Sequence, residues 1–584
     1  MIILDLNKKP VNNEKEHVGL RTKIKRFFQR FELTAEAPQN FLASGLWQIV
    51  GTMLTALLTW LLVVFVSRED IGLSASGIGI FNTAVAIFAM FSLITIGMGK
   101  STSQLVSANI SDKGIAFEHA RNGTFASFLM GIVLGSLLVG CSFFIGSPLS
   151  FLDEMSLSTI LFIIGIVMLI AGIRDGLVGN LASVGEYDEI AKSGAVGALS
   201  QLIAGIIFIL LIKNLNLPYS SIIFVFLIGI IIQTLFTSRY LSKLWFNTQV
   251  FRFNKVDRRF LKIMRQGFYF SITDIIPTGL LGSVIIIILL IFTQNDYEIV
   301  GSFSIISGYA LGGLIVTGFA WPLITAVAEA YGRKDTKKIK YYFQLIGKIF
   351  FYLTFLVLTI DIGLSQGIIS VFHGSEYLIG KTNIWIPFIV TICAYAIVGF
   401  EYIFCSILLG IGKSRSAAIY LGAIFLVIIG FTSLCLWFNF FSQPQLNASF
   451  GFLIGALIMF PFLPYLMKKH IQQKLPFAIG IKSLAALLST LVIAVILMWP
   501  PLNLIPLSNG GLIFLMGIIV IIIYILLLIT FGAISQEDFF LLERKAAEYG
   551  LKKYIDPILS LLRKLMRISP FCTYKECNEP SKDG

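Results

Sequence analysis

Charge is what this chain has least of: only 13% of its 584 residues are Asp, Glu, Lys or Arg. A soluble chain of this length needs more charge at its surface. With 56% hydrophobic residues and a mean hydropathy of +0.86, it also carries more apolar surface than one core hides. Histidine is equally sparse, and His17, His119, His373 and His470 are scattered without ligand spacing. Among the 6 cysteines, Cys141, Cys393, Cys405 and Cys435 lie inside apolar runs as small packing residues. Cys572 and Cys577 sit in a polar tail with no histidine at ligand spacing, so neither a disulfide framework nor a metal site is expected. No Walker-type glycine-rich loop is present, which argues against nucleotide-driven pumping, and no selectivity-filter sequence marks a channel. No cleavable signal peptide is read either. Polar residues 1–40, including the basic stretch Arg21 to Arg30, precede the first apolar run, so the first helix is expected to be an uncleaved anchor.

What the chain does have is long apolar runs. They are continuous rather than alternating, so they predict membrane-spanning helices and not a barrel. About fourteen spans are read, at 41–66, 77–106, 124–145, 157–182, 194–212, 221–238, 267–292, 301–327, 343–364, 384–409, 417–437, 450–466, 484–499 and 511–531. The expected fold is therefore an all-α polytopic integral membrane protein.

The distribution of basic residues tests that reading, because one missed or invented helix would scatter them over both sides. With the N-terminus inside, all of the 45 Lys and Arg except Arg68, Lys213 and Lys381 fall on the cytoplasmic side. The net charge of +13 thus reports orientation, and no nucleic-acid partner is called for. Both termini are expected in the cytoplasm and the protein in the cell membrane.

Two similarities suggest duplication. Gly79-Ile-Phe81 with Gly97 parallels Gly301-Ser-Phe303 with Gly318, at an offset of about 222 residues. The stretch from Arg174 through Leu181 to Gly185 parallels Glu401 through Leu408 to Gly412, at about 227. The expected organisation is a cytoplasmic N-terminal segment (1–40), an N-lobe of six spans (41–238) and a basic cytoplasmic linker (239–266) that serves as a hinge. A C-lobe of six spans (267–466), two further spans (467–531) and an amphipathic cytoplasmic tail (532–584) complete it.

Several local patterns carry a family resemblance. Ser67-Arg68-Glu69-Asp70 followed by Gly77-Ile-Gly-Ile-Phe81, the loop Phe372-His-Gly-Ser-Glu-Tyr377, the turn Leu409-Gly-Ile-Gly-Lys413 and the ending Ile534-Ser-Gln-Glu-Asp538 are the cues. On these the chain resembles the polysaccharide-transporter branch of the multidrug/oligosaccharidyl-lipid/polysaccharide exporter (MOP) superfamily, which includes O-antigen and lipid-linked oligosaccharide flippases. The lipid II flippase of that superfamily has an arginine in its first helix, and the first span here has none. The resemblance implies flipping of a lipid-linked oligosaccharide or polysaccharide precursor to the outer leaflet by alternating access, with membrane lipids, the lipid-linked glycan and glycan-assembly enzymes as partners.

Ionisable residues at membrane depth are costly, about 2.5–3.5 kcal/mol each on insertion scales, and mark candidate sites. Lys100, Arg121 and Arg174 are candidates for attracting a phosphate or pyrophosphate headgroup, against the plainer reading that such residues obey the orientation rule. Arg174 with its repeat equivalent Glu401 is a candidate gate pair, the alternative being that Arg174 pairs with its neighbour Asp175 or snorkels. Asp274, three residues before Pro277, is a candidate carrier of a coupling H+ or Na+, or else a carboxylate near the start of a helix at the interface. Glu329 reads as an ion-pair member with Arg333 and Lys334. No cofactor is implied. Asn447-Ala-Ser449 is read as an outer-side glycosylation sequon.

Transport is the expected function class, because short outer loops leave no room for catalytic machinery. A cation-coupled multidrug antiporter of the same superfamily is the alternative. From another class, a membrane glycosyltransferase would use Glu69 and Asp70 as its metal-binding acidic pair.

Overall fold

The computed structural model describes residues 41–67, 74–145, 157–215, 219–241, 256–275, 280–293, 316–372, 383–497 and 510–534, with a few isolated positions besides. The N-terminal segment, Glu69 and Asp70, Pro277, residues 373–377, half of the basic linker (242–255), Cys572, Cys577 and nearly all of the amphipathic tail lie outside the described residues. So does the ending from Ser535 onward.

The chain is all-helical over the described residues. The first six helices are α1 (Phe41–Ser67), α2 (Ser74–Ala108), α3 (Lys113–Ile145), α4 (Leu157–Ser183), α5 (Tyr187–Leu215) and α6 (Phe224–Leu241), the last entered through the 3-10 turn Tyr219–Ile223. Then come α7 (Arg259–Thr273), α8 (Leu280–Phe292), α9 (Ala320–Gly332), α10 (Thr336–Gly363), the short α11 (Ser365–Phe372) and α12 (Trp385–Gly410). The last five are α13 (Ser414–Phe438), α14 (Pro444–Met459), α15 (Phe462–Ile471), α16 (Phe477–Leu497) and α17 (Gly510–Thr530). The described residues include 9 helices long and apolar enough to cross a membrane. Their outer faces suit lipid. On α1, Leu46, Val50, Met53 and Leu57 recur at helical spacing and are each about half exposed.

Two expected spans are not single rods. The seventh begins earlier than its apolar run suggests, at Arg259, and breaks after Thr273 into α7 and α8. Asp274 closes α7, its N–H donating to the carbonyls of Phe270 and Ser271. The twelfth bends between α14 and α15 at Pro461, which has no N–H to continue the helical ladder.

Small residues set how closely helices approach, since lipid supplies no hydrophobic drive between apolar rods. In the N-lobe, a Cβ on Gly131 would lie 2.9 Å from the Gly172 Cα, and one on Gly135 2.6 Å from the Gly165 carbonyl, so α3 and α4 meet backbone to backbone. The C-lobe relies more on aromatic packing: Phe400 stands 4.7 Å from Phe404 and 5.0 Å from Phe350, centroid to centroid.

The repeat is visible in the turns. Glu186 N–H donates to the Leu181 carbonyl at 3.1 Å and Lys413 N–H to the Leu408 carbonyl at 2.8 Å, closing α4 and α12 alike. Gly185 and Gly412 take φ of 85° and 78° there, a conformation that side chains resist. Asp112 and Asp335 likewise cap equivalent helices, accepting from Ile115 N–H at 3.2 Å and Lys338 N–H at 3.0 Å.

The expected sequon is corrected by the fold. Asn447 is buried inside α14, donating to Asn439 at 3.0 Å and to the Phe441 carbonyl at 2.8 Å while accepting from Phe441 N–H at 2.9 Å. It ties down the turn between α13 and α14 and offers no free amide to a glycosylating enzyme.

Candidate functional site: the seam between the lobes

The N-terminal and C-terminal halves of the chain, called lobes below, meet near the end of the bundle where Lys262, Lys334 and Lys413 come together, called here the basic end. Contact is close because glycines line it. A Cβ on Gly97 of α2 would lie 2.5 Å from the Gly267 carbonyl and 2.7 Å from Ser271 N of α7. Its repeat partner Gly318, just before α9, would meet Ile49 of α1 at 2.7 Å. Each glycine therefore seats the first helix of the opposite lobe.

At the centre of the seam lies a buried ionic cluster. Lys100 of α2 reaches across to Asp274 at the end of α7, Nζ to Oδ1 2.7 Å, with the two side chains 10% and 1% exposed. The Tyr402 hydroxyl of α12 donates to the same Asp274 oxygen at 3.1 Å and accepts from Lys100 at 3.3 Å. Lys100 Nζ also stands 5.4 Å over the Trp321 ring, whose Nε1 donates to Ser103 at 2.8 Å. Three C-lobe helices thus grip one N-lobe lysine. Because α7 stops at Thr273, the Asp274 carboxylate can turn into the seam; it follows a helix end rather than the helix start considered from the sequence.

Further polar contacts extend from this cluster toward the basic end. Gln266 donates to Gln104 at 2.6 Å, Gln104 to the Gly410 carbonyl at 3.2 Å, and Ser101 to the Ile263 carbonyl at 3.2 Å. Tyr187 and Thr325 share a bond of 3.0 Å, Asn122 donates to Asp257 at 2.8 Å, and Arg259 pairs with Glu118.

The remaining candidates divide between the lobes. Arg174 holds Asp175 through Nε at 2.7 Å and donates to Gln233 of α6 at 3.3 Å, while Thr95 donates to the other Asp175 oxygen at 2.6 Å. Glu401 accepts from Tyr420 of α13 at 2.8 Å. The structure therefore does not bring Arg174 and Glu401 together: each is held inside its own lobe. Arg121 is buried on α3 and its Nε has no hydrogen-bond partner among the described residues. Glu329 pairs with Arg333 at 2.9 Å. Sequence reasoning singled out Lys100 and Asp274 separately, but not their partnership, and it missed Tyr402, Trp321 and Gln104. An aromatic or an amide at the inner third of a span gave no signal apart from its being polar.

No protein-family model matches the chain, and no curated protein does. The likeness is to solved structures. An outward-facing multidrug resistance MATE family transporter of the MOP superfamily superposes with a TM-score of 0.62 at 17% identity, over 74% of this chain and 96% of that one. This chain has the fold of a MOP-superfamily transporter. MATE in complex with MaL6 gives a TM-score of 0.60 at 15% identity, over 74% and 97% of the two chains. A MOP-superfamily transporter from Pyrococcus furiosus, whose reversed binding-pocket polarity suggests a different function, gives 0.59 at 15%, over 75% and 97%.

Proposed function

We propose that this chain is a membrane transporter that moves a phosphate-linked amphiphile, a lipid-linked oligosaccharide or polysaccharide precursor, from the cytoplasmic to the outer leaflet by alternating access. The observation that carries the mechanism is the buried Lys100, Asp274 and Tyr402 contact across the seam. A desolvated ion pair between rigid lobes is bistable: formed, it closes one end of the cleft; broken, it puts both charges into water. The basic end is the cytoplasmic end on this reading, with both termini there, so the lobes are described in a cytoplasm-closed state. Lys100, Arg121 and Arg174 are the proposed cations for an anionic headgroup, Lys100 and Arg174 becoming available to it on leaving Asp274 and Asp175. Span number and the loop patterns support the glycan branch, and glycan-assembly enzymes are the partners that follow from it. Coupling to H+ or Na+ is assigned to Asp274, whose lysine partner must be exchanged when the seam opens.

The test is translocation by the purified chain in proteoliposomes, reading loss of accessibility of a fluorescent polyprenyl-diphosphate sugar. The expected result is protein-dependent flipping that Lys100→Met slows. The multidrug antiporter remains the alternative reading, favoured by the solved MATE neighbours; exchange of a lipophilic cation against H+ or Na+, with no flipping of any diphosphate lipid, would overturn the proposal.

A further inference from the structure

Beyond the buried cluster, the seam widens at the basic end into a cavity of about 880 Å³. Its walls come from both lobes. The N-lobe contributes Gln104 and Asn109 at the end of α2, and the C-lobe contributes Lys262 and Arg265 of α7, Lys334 before α10 and Lys413 before α13. Among the described residues, no carboxylate lines it. None of the four cations forms an ion pair with a described residue, although Glu329, Asp335 and Asp257 stand on neighbouring turns and are used elsewhere: Glu329 by Arg333, Asp335 as the cap of α10, Asp257 by Arg259 and Asn122.

Two further features point the same way. The helices α10 and α13 both begin at the cavity wall, at Thr336 and Ser414. The Asp335 carboxylate caps α10, whereas no side chain caps α13 at Lys413, so the positive end of α13 is left to face the cavity. The turns also hold the lysines: Lys334 itself sits at φ 58° and Lys413 follows Gly412 at φ 78°, so both lie in sharp reversals of the chain at the cavity wall. At the repeat-equivalent position of Lys413 the N-lobe carries Glu186. The charge is therefore specific to this side of the pseudo-symmetric pair, whereas the orientation rule alone would be satisfied by lysines anywhere along the basic end.

From these features we infer that the cavity is a binding site for a phosphate or diphosphate group carried by a lipid, which bridges the lobes at the basic end and is distinct from the buried Lys100 cluster. Lysine and arginine converge with amide donors on one cavity whose remaining walls are largely apolar, a donor set that suits several phosphate oxygens at once and a lining that suits a lipid. Two sources share this chemistry: an anionic phospholipid headgroup, and the diphosphate of a transported polyprenyl lipid. Only the second rests on the proposed function, and a binding measurement separates the two because it needs no transport.

The experiment compares three proteins: wild type, the cavity variant K262Q/R265Q/K334Q/K413Q, and a control, K337Q/K340Q/K468Q/K469Q, that removes equal charge from exposed positions of the same end outside the cavity. Each is placed in phosphatidylcholine nanodiscs, and binding is read by native mass spectrometry with phosphatidylglycerol in one arm and a short polyprenyl diphosphate in the other. The expected result is binding to wild type and control in at least one arm, weakened at least tenfold in the cavity variant. Preference for phosphatidylglycerol identifies a structural or regulatory lipid, and preference for the diphosphate identifies a substrate-docking site. Absence of binding to wild type in both arms overturns the inference, and so does equal loss in cavity variant and control, which would report bulk charge only. Near-equal melting temperatures of the three proteins, measured in parallel, establish that the variants are folded.

Discussion

Breaking the Lys100 and Asp274 pair is expected to shift the protein toward lobes separated at the basic end. The pair is 2.7 Å long and almost fully shielded, so removing one partner strands a charge in a poorly solvated place. Breaking such a pair costs about 3–5 kcal/mol. Because Tyr402 still donates to Asp274 at 3.1 Å, the lower figure applies to Lys100→Met. About 3 kcal/mol is roughly a hundredfold change in the closed-to-open ratio, at about 1.4 kcal/mol per factor of ten. The sign follows from where the cost falls: with the lobes apart both groups are in water, so only the closed state is penalised. Spin labels at exposed Lys113 and Lys337, one per lobe, would read it by pulsed electron resonance in a cysteine-free background. Lys100→Met should move the population from a short to a longer distance. The double variant K100M/D274L should recover the short one, because an apolar pair of similar volume replaces a buried ion pair at little cost. Identical distance distributions in wild type, Lys100→Met and Asp274→Asn, all folded, would refute the reasoning.

Four further outcomes follow from the geometry. Tyr402→Phe keeps the ion pair and removes the hydroxyl's bonds to Asp274 and from Lys100, so the same distance measurement should show a smaller shift, about 1.5–3 kcal/mol at most. Gly97→Val places a branched side chain against the Gly267 carbonyl and should block closure, abolishing cross-linking of cysteines set across the seam while leaving the helical content by circular dichroism intact. The double reversal R174E/E401R should give no rescue of either single variant's transport loss, with a coupling energy below about 0.5 kcal/mol, since the two residues are bonded to Asp175 and Tyr420 in separate lobes. Asn447→Gln should lower thermal stability by about 1–3 kcal/mol, and the wild-type chain should remain unglycosylated at Asn447 in a glycosylating host.

The fold was legible where solvent dictates sequence. Lipid demands continuous apolar helices, so the spans could be read from hydropathy, and most coincide with helix over much of their length. Helix breaks were less visible: the apolar run through 267–292 hides the end of α7 at Thr273, and hydropathy gives no warning that Asp274 turns into a seam. The site was half legible for the same reason. An ionisable residue in a span attracts notice by its cost, which exposed Lys100, Arg174, Asp274 and Glu401. Its partner is fixed by long-range packing, with 174 residues between Lys100 and Asp274. Sequence symmetry suggested Glu401 as the partner of Arg174, and instead each is held locally, Arg174 by Asp175 and Glu401 by Tyr420. Symmetry relates like positions in the two lobes; it does not require them to touch.

That distinction also explains why the repeat matters for mechanism. Gly97 and Gly318 occupy equivalent positions, and both meet the first helix of the other lobe, α7 and α1 respectively. The seam thus has two glycine bearings at repeat-equivalent positions, while among the described residues its buried ionic cluster lies on the α2 and α7 side. Backbone approach at a glycine has no strong directional preference and tolerates a change of angle between helices. A buried ion pair at 2.7 Å does not. Rocking about the bearings while making or breaking the seam's polar contacts, with the buried ion pair at their centre, gives two discrete states rather than a continuum. The asymmetry assigns the switch to Lys100, Asp274 and Tyr402 and leaves the glycines as the surface on which it moves.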